Sequence, residues 1–352
     1  MRVAAVQLEV AIADVAANLS ECDLLVAEAA AAGAEAVALP EFFTTGASFD
    51  ERLAGTAVAP DGAAAAFLSD AAARHGIWLG GSFLCRDADG EVRNAYMLAG
   101  PDGTILGRHD KDLPTMWENA LYVGGHDDGL IETGQQAVGA AVCWEFMRSG
   151  TARRLRGRVD LVLGGSNWWT IPAWRPRAMF ARMEAANAAT ARHAPSVFGR
   201  YVGAPVVHAA IAGPCRCPMP DMPGVMYDGK FQGGALIADA TGAILASREG
   251  SEGSGIVVAD VEARRVAPVD QVPDSCWLHP RGWLPAYAWH SQRVVGRRWY
   301  SRHVRGRPPL ELDWQRPQPL PVRTVRPPDS SPHVTEVSGD AKNSMTKMKL
   351  GA

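Results

Sequence analysis

The sequence predicts an α/β fold whose sheets mix parallel and antiparallel strands. Short apolar segments alternate with alanine-rich amphipathic segments over residues 1–265, which is typical of strands joined by helices. Two of the connections are short and carry turn residues, so β-hairpins are expected beside the helical crossovers. Apolar residues make up 47% of the 352-residue chain, which is enough to form a large core.

The first half of this pattern begins with a strand at 3–8 (VAAVQL) and an amphipathic helix at 18–34. The helix should end near Gly33, because glycine readily adopts the left-handed conformation that closes a helix. The elements predicted next are a buried strand at 35–41, a helix at 63–76, a strand at 77–84 and a hairpin at 94–111 that turns at Pro101-Asp102-Gly103.

The second half continues the alternation to about residue 261. The predicted elements are strands at 138–144 and 159–168 with a short helix between them, a long helix at 174–193, a strand at 195–203, a hairpin at 233–249 and a strand at 253–261. Residues 213–231 (GPCRCPMPDMPGVMYDGKF) fit none of these patterns and are predicted to form a loop.

The composition changes after residue 265, so we divide the chain into a domain at 1–265, an extension at 266–305 and a tail at 306–352. The extension is rich in aromatic and basic residues. A helix docked on its own domain or at a subunit contact is favoured there, and a membrane-surface segment is the alternative. The tail is rich in proline and then polar, so we expect it to be disordered.

The charge and cysteine content limit the classes of function. A net charge of −3 argues against nucleic acid as a partner. The six cysteines are scattered, in neither a zinc pattern nor a disulfide framework. The chain has no signal-peptide pattern and no run of about 18 apolar residues, so neither secretion nor a membrane span is expected. The expected compartment is a reducing cytoplasm.

Three residues with catalytic potential stand where predicted strands give way to loops: Glu41, Lys111 and Cys143. A thiol attacks carbon as a thiolate, so it needs a base or a cation beside it, and the charge that then develops needs a cation or N–H groups. Strand ends can converge at one edge of a sheet. Taken singly, each residue has a simpler explanation, as a core thiol, a loop carboxylate or an exposed ion pair.

Five blocks in chain order resemble the nitrilase, or carbon–nitrogen hydrolase, superfamily. They are VAAVQLEV (3–10), LPEFFTTG (39–46), GRHDKDLPTMWENALYVGG (107–125), GAAVCWEF (139–146) and FQGGALIADATGAIL (231–245). The resemblance covers about three quarters of the chain. It implies a four-layer αββα sandwich, a homodimer or higher homo-oligomer, and catalysis that needs neither a metal nor an organic cofactor.

The resemblance also implies roles for individual residues. Cys143 would be the nucleophile, Glu41 its general base, and Lys111 the cation that stabilises the tetrahedral intermediate together with the backbone N–H of Trp144. Glu118 would position the substrate or assist proton transfer. The implied substrate is a small-molecule amide or nitrile, which would be converted to a carboxylic acid with release of ammonia or an amine.

The segment 164–177 (GGSNWWTIPAWRPR) is expected to lie near the pocket and to supply Asn167 and Trp168 to substrate binding. For Trp168, Trp169 and Trp174, core or dimer packing is an open alternative. If Trp168 lines the site, an apolar or aromatic acyl group is the natural guest. The motif Cys-Trp-Glu is more like the nitrile-hydrolysing branch, but that branch commonly has Asn where this chain has Phe146.

Three classes of function remain open from the sequence. The leading one is thiol-dependent hydrolysis of nonpeptide carbon–nitrogen bonds. The second is acyl transfer from the same thioester to an amine or thiol. The third is a non-catalytic interaction protein with this fold, which the intact set of Glu41, Lys111 and Cys143 argues against.

Overall fold

Thirteen strands and five α-helices make up residues 1–316, the part of the chain that the computed structural model describes. The strands are β1 (Arg2–Glu9), β2 (Ala36–Ala38), β3 (Trp78–Arg86), β4 (Val92–Ala99), β5 (Ile105–Asp110), β6 (Leu130–Glu132), β7 (Ala137–Val142), β8 (Leu161–Ser166), β9 (Val206–Pro218), β10 (Met226–Gln232), β11 (Leu236–Ala238), β12 (Ile244–Ser247) and β13 (Gly255–Asp260). The helices are α1 (Val15–Ala31), α2 (Ala63–His75), α3 (Ser149–Leu155), α4 (Arg177–Val202) and α5 (Trp283–His303).

The strands pair in the order β5-β4-β3-β2-β1-β9-β8-β7-β6, with β10 and β11 on β9 and β13 on β1. The central pairs β3–β2–β1–β9–β8–β7 are parallel. The hairpins β3–β4, β4–β5 and β11–β12 are antiparallel. The predicted mixture of parallel and antiparallel strands is therefore confirmed, and so are the two predicted hairpins.

The sheet folds into two packed layers with helices on both outer faces, so the fold is the expected four-layer αββα sandwich. Helices α1 and α2 belong to one buried apolar cluster, and α3 and α4 to a second. Alternate residues of β1 serve the two clusters, with Val6 in the first and Ala5 in the second. Strands buried on both faces explain why β1 reads as a continuous apolar run.

The predicted strand at 195–203 is wrong, because α4 continues through it to Val202 with Pro195 inside the helix. Apart from Ser196, the buried positions of its last three turns are Ala191, Ala194, Pro195, Phe198, Gly199 and Val202. Their alternating spacing of three and one is that of a helical stripe. Burial of this stripe outweighs the hydrogen bond that a proline removes from a helix.

The predicted loop at 213–231 is also wrong, since most of it belongs to the antiparallel hairpin of β9 and β10. The partners run from Gln232 opposite Ala212 to Met226 opposite Pro218. Cys215, Cys217 and Tyr227 are buried on this hairpin. Alternate side chains of the hairpin are buried, as in other half-buried strands. The proline and glycine residues of the segment made this pattern hard to recognise in the sequence.

The C-terminal extension lies on its own domain. Helix α5 packs against a 3-10 turn at Met116–Ala120, where Gly296 leaves no room for a Cβ beside Asn119. Within residues 1–316, none of the helices combines the length and apolar character of a transmembrane segment.

Part of the predicted disordered tail, residues 306–316, instead packs against the domain. Trp314 packs edge-on against Phe67 of α2 at 5.0 Å and donates its indole N–H to Asp70 at 3.3 Å. These contacts offset the entropy of ordering a proline-rich segment. Residues 1–316 form one compact unit, which includes the extension at 266–305. The remainder of the predicted tail, 317–352, lies outside the described residues.

Replacing Trp314 by alanine should lower the free energy of unfolding by about 1–2 kcal/mol, because a half-buried indole loses its contact with Phe67. Chemical denaturation of the full chain measures the change. Trp283→Ala is the matched control, since that side chain is 64% exposed and should change stability by less than about 0.5 kcal/mol. Equal effects of the two substitutions would show that the segment contributes nothing.

Candidate active site

A buried ammonium group stands at the centre of the site. Lys111 Nζ lies 2.8 Å from Glu41 Oε1 and 2.7 Å from Glu118 Oε2, and it donates a third hydrogen bond to Thr115 Oγ1 at 3.3 Å. All of these side chains are buried. One buried cation thus bridges two buried carboxylates.

Cys143 completes the cluster. Its sulfur and the nearest carboxylate oxygens of Glu41 and Glu118 all lie within 4.8 Å of one another. Cys143 begins a 3-10 turn directly after β7 and has a φ of 55°, which is rare for a residue other than glycine. The structure therefore brings together all four residues expected to be catalytic: Glu41, Lys111, Glu118 and Cys143.

The strand order explains this convergence. Glu41 follows β2, Lys111 follows β5 and Cys143 follows β7, so each side chain stands just past a strand end. Strands β2 and β8 come into contact without pairing. At Gly165 of β8, an added Cβ would lie 2.7 Å from Pro40 Cα and 3.1 Å from Glu41 N. Glycine at this position lets the two strand ends approach closely.

Two asparagines help to fix Glu41, one through its side chain and one through its backbone N–H. Asn94 on β4 donates from Nδ2 to Glu41 Oε1 at 2.9 Å, and the backbone N–H of Asn167 donates to Oε2 at 2.9 Å. The side chain of Asn167 bonds through both ends to the backbone of Ala47 at 3.2 Å. Asn167, which we expected to bind substrate, is thus occupied in holding the Glu41 loop, and it does not line the pocket described below.

The cluster makes the thiol a weak acid and the ammonium a permanent cation. Burial, followed by the charge of Glu41, raises the pKa of Cys143 well above its ordinary value. Burial alone would lower the pKa of Lys111, but the carboxylates of Glu118 and Glu41 outweigh it and hold that pKa well above normal. At neutral pH the site therefore contains a protonated thiol beside a carboxylate and a fixed positive charge.

The pKa of Glu118 lies close to neutral pH. Burial raises its pKa to about 7, against the opposing effect of Lys111. Its Oε2 accepts from the backbone N–H of Thr115 at 2.8 Å and from the Tyr122 hydroxyl at 2.5 Å. Its Oε1 is buried and has no partner among the described residues. That free oxygen can carry a proton or bind a donor on a ligand.

A second buried network, missed by the sequence reasoning, joins the lysine and cysteine segments. Glu145 Oε2 accepts from the Val142 N–H and from His109 Nε2, each at 2.9 Å, and Oε1 accepts from the Asp112 N–H at 3.2 Å. His109 and Asp112 flank Lys111, and Val142 precedes Cys143. The signal in the sequence was the glutamate of Cys-Trp-Glu, which stands two residues after the thiol.

His109 links this network to a loop. Its Nδ1 is bonded to the carboxylate of Asp127. Burial alone would lower the pKa of His109, but Glu145 and Asp127 outweigh it and raise the pKa to about 10. A buried imidazolium therefore holds the two strand ends together at neutral pH.

The one group of potential metal ligands found among residues 1–316 is Glu41, Glu118 and Cys143. The ammonium of Lys111 lies between the two carboxylates, at 2.8 and 2.7 Å. Their negative charge is therefore already balanced by a side chain of this chain, and the arrangement favours acid–base chemistry over metal binding.

An aromatic pocket adjoins the cluster. Trp117, Trp144 and Trp168 line it, and these are chain neighbours of Glu118, Cys143 and Asn167. Trp169 and Trp174 line it as well. Trp168 and Trp169 are also part of the two buried apolar clusters, so these two side chains both pack in the core and border the pocket. The structure thus places the expected pocket residues Trp144 and Trp168 where a substrate can contact them.

Comparison with known proteins agrees with this geometry. The family model described as carbon-nitrogen hydrolase matches residues 2–271. The chain belongs to the carbon-nitrogen hydrolase family. It is thus an enzyme of the nitrilase and amidase type, as the sequence resemblance implied.

Relatives of this carbon-nitrogen hydrolase include a nitrilase of Pyrococcus abyssi, 30% identical over 186 residues, which are 51% of this chain and 69% of the relative. An omega-amidase of Danio rerio is 32% identical over 210 residues, which are 54% of this chain and 74% of the relative. Among solved structures, an amidase from Nesterenkonia sp. AN1 has the same fold, with a TM-score of 0.57 at 21% identity, covering 74% of this chain and 92% of that one.

The charge on His109 should make stability depend on pH. Because its pKa is raised in the folded protein, its contribution is complete below the unfolded value of about 6.5 and is lost as the pH rises to about 10. The stability difference between the wild type and His109→Gln should therefore shrink over this range, by at most about 1.4 kcal/mol per pH unit. Urea denaturation at several pH values measures it; a constant difference would contradict a buried imidazolium.

Proposed function

We propose that this enzyme hydrolyses a small-molecule amide or nitrile through a covalent intermediate on Cys143. The observation that carries the proposal is the buried ammonium of Lys111, bonded to Glu41 and Glu118 beside the thiol. This set supplies a nucleophile, a base and a cation within one cluster, which is what acyl transfer to a thiol requires.

In the first step, the sulfur of Cys143 bonds to the amide carbon while Glu41 accepts the thiol proton. Because burial raises the pKa of the thiol, the proton leaves only as the carbon–sulfur bond forms. The negative charge moves to the amide oxygen, where Lys111 and the backbone N–H of Trp144 stabilise it. The proton held by Glu41 then goes to the nitrogen, directly or by way of Glu118, the carbon–nitrogen bond breaks, and a thioester and ammonia or an amine are left.

The second step regenerates the enzyme. Glu41 accepts a proton from water as the water oxygen attacks the thioester carbon, and the carbon–sulfur bond breaks to give the carboxylic acid and the thiol. With a nitrile, the thiol adds across the triple bond to give a thioimidate; water then adds to its carbon and the nitrogen leaves as ammonia, which gives the same thioester. The free Oε1 of Glu118 suits it to position the substrate nitrogen or to pass a proton to it.

We further propose a reducing cytoplasm as the compartment and a homodimer as the working assembly. The first suits the six cysteines, all of which are free, including the exposed Cys276. The second suits the first half of α4, whose side chains are largely exposed, with Met179 41% exposed. Ala178, Met179 and Ala181 are all exposed there, and a contiguous exposed apolar patch is typical of a contact between subunits.

Cys143→Ala, Glu41→Gln and Lys111→Met should each lower kcat/KM by about a thousandfold or more, because each removes a group on which bond formation depends. Ammonia release from a panel of aliphatic and aromatic amides and nitriles measures the loss. Intact-protein mass spectrometry of the wild type should show an acyl adduct that maps to Cys143.

Cys276→Ser is the matched control, because this thiol is exposed and outside the cluster; it should retain full activity. Near-normal turnover by Cys143→Ala would overturn the proposal. If hydroxylamine diverts most of the acyl group to a hydroxamate while water accepts little, the chain is an acyltransferase that uses the same thioester.

A further inference from the structure

One wall of the aromatic pocket comes from a part of the chain that the family model does not match. The pocket is a recess that is partly open to solvent, and the family match ends at residue 271. The wall is built by α5, through Leu284, Pro285, Tyr287, Ala288 and Gln292. Trp289 of the same helix stacks on Trp144, with ring centroids 5.4 Å apart and planes at 2°.

A second wall is the tip of the β9–β10 hairpin, which contributes Met219, Asp221 and Met222. Asp221 joins the two walls. Its Oδ2 accepts from the Ser291 hydroxyl at 2.5 Å and its Oδ1 from the Gln292 amide at 3.3 Å. The hairpin tip is thereby fastened to α5, and a carboxylate is held at the edge of an apolar recess.

The charge of this recess is distinctive. Asp221 is the one charged side chain among the described residues that line it, and neither lysine nor arginine contributes. Both of its donors are neutral, and it forms no ion pair within residues 1–316. Gln292 is 2% exposed, and its Oε1 has no partner among the described residues. The recess therefore holds one carboxylate without a cation to balance it, and one of its lining residues has a buried amide oxygen without a donor.

These features point to a ligand with two different parts. Aromatic rings next to the catalytic cluster favour a flat, apolar body. A carboxylate and a buried amide oxygen elsewhere in the recess favour an N–H donor, best of all a protonated amine, which the surrounding rings also attract through their π faces. A second carboxylate on the ligand would instead face Asp221 and be repelled.

We propose that the substrate is an amide or nitrile of an aromatic or arylalkyl acid that carries a protonated amino group, bound by Asp221 and Gln292. The inference rests on the proposed function, since it names the substrate class of the same site. It makes α5 and the hairpin tip the specificity-determining segments of this chain.

An anionic substrate is the competing outcome. A neighbouring recess shares Trp144 and Trp168 with the pocket and is lined by Arg281. The guanidinium of Arg281 lies 4.0 Å from the ring centroid of Trp277 and does not line the pocket itself. A ligand directed to that side would require the opposite charge, so the charge preference of the enzyme decides between the two recesses.

The test compares ammonia release from three amides: 4-(aminomethyl)phenylacetamide, neutral phenylacetamide, and succinamate as an aliphatic anion. The cationic amide should have the highest kcat/KM. Asp221→Asn should lower that value by about tenfold and change the value for phenylacetamide by less than about threefold. Asp228→Asn, an exposed carboxylate on the same hairpin, is the matched control and should change neither. Turnover of phenylacetamide shows that each variant is folded.

Preference for succinamate, or equal effects of Asp221→Asn on the cationic and neutral amides, would overturn the assignment. Binding of the same amides to Cys143→Ala, followed by tryptophan fluorescence, separates this outcome from failure of the proposed function. Binding that depends on Asp221, without ammonia release or an adduct in the wild type, would remove the mechanism and leave the pocket assignment standing. Hydrolysis at Cys143 without a charge preference would leave the mechanism standing and overturn the pocket assignment.

Discussion

The structure of this enzyme is organised around one buried ammonium group. Removing an ion from water costs several kcal/mol, and Lys111 is stable only because Glu41 and Glu118 contact it directly. Deleting the ammonium would leave two buried carboxylates without a cation, at a cost of about 3–5 kcal/mol. The same enclosure strengthens the interaction of Lys111 with any negative charge that develops on a substrate. The burial of this charge therefore has a cost in free energy, and the same burial makes the site reactive.

The fold meets this constraint by fixing backbone segments rather than single side chains. Gly165 lets the end of β2 approach β8, so that Asn167 N–H can bond to Glu41. Glu145 ties the residues around Lys111 to the strand that ends before Cys143. Both sets of contacts act on strand ends. They explain how Glu41, Lys111 and Cys143 come together although about 30 to 100 positions separate them in the chain.

The sequence predicted the strand ends that carry Glu41, Lys111 and Cys143, because buried strands read as apolar runs that stop at polar residues. It failed at Pro195, where burial of a helical stripe prevails over local proline chemistry. It also missed His109 and Asp127, whose pairing depends on contacts between segments that no local pattern encodes. Asn167 was named for its position near the site, but only the coordinates show that its amide is committed to Ala47.

The central claim is that Cys143 reacts as a protonated thiol whose proton passes to Glu41. The most direct measurement is the rate at which 2-chloroacetamide, a small neutral amide, alkylates Cys143 as a function of pH in the wild type and in Glu41→Gln. We predict rapid alkylation at neutral pH in the wild type. In the variant, alkylation should become fast only at strongly alkaline pH, where the thiol ionises unaided. Equal rates in both proteins at neutral pH would contradict the account.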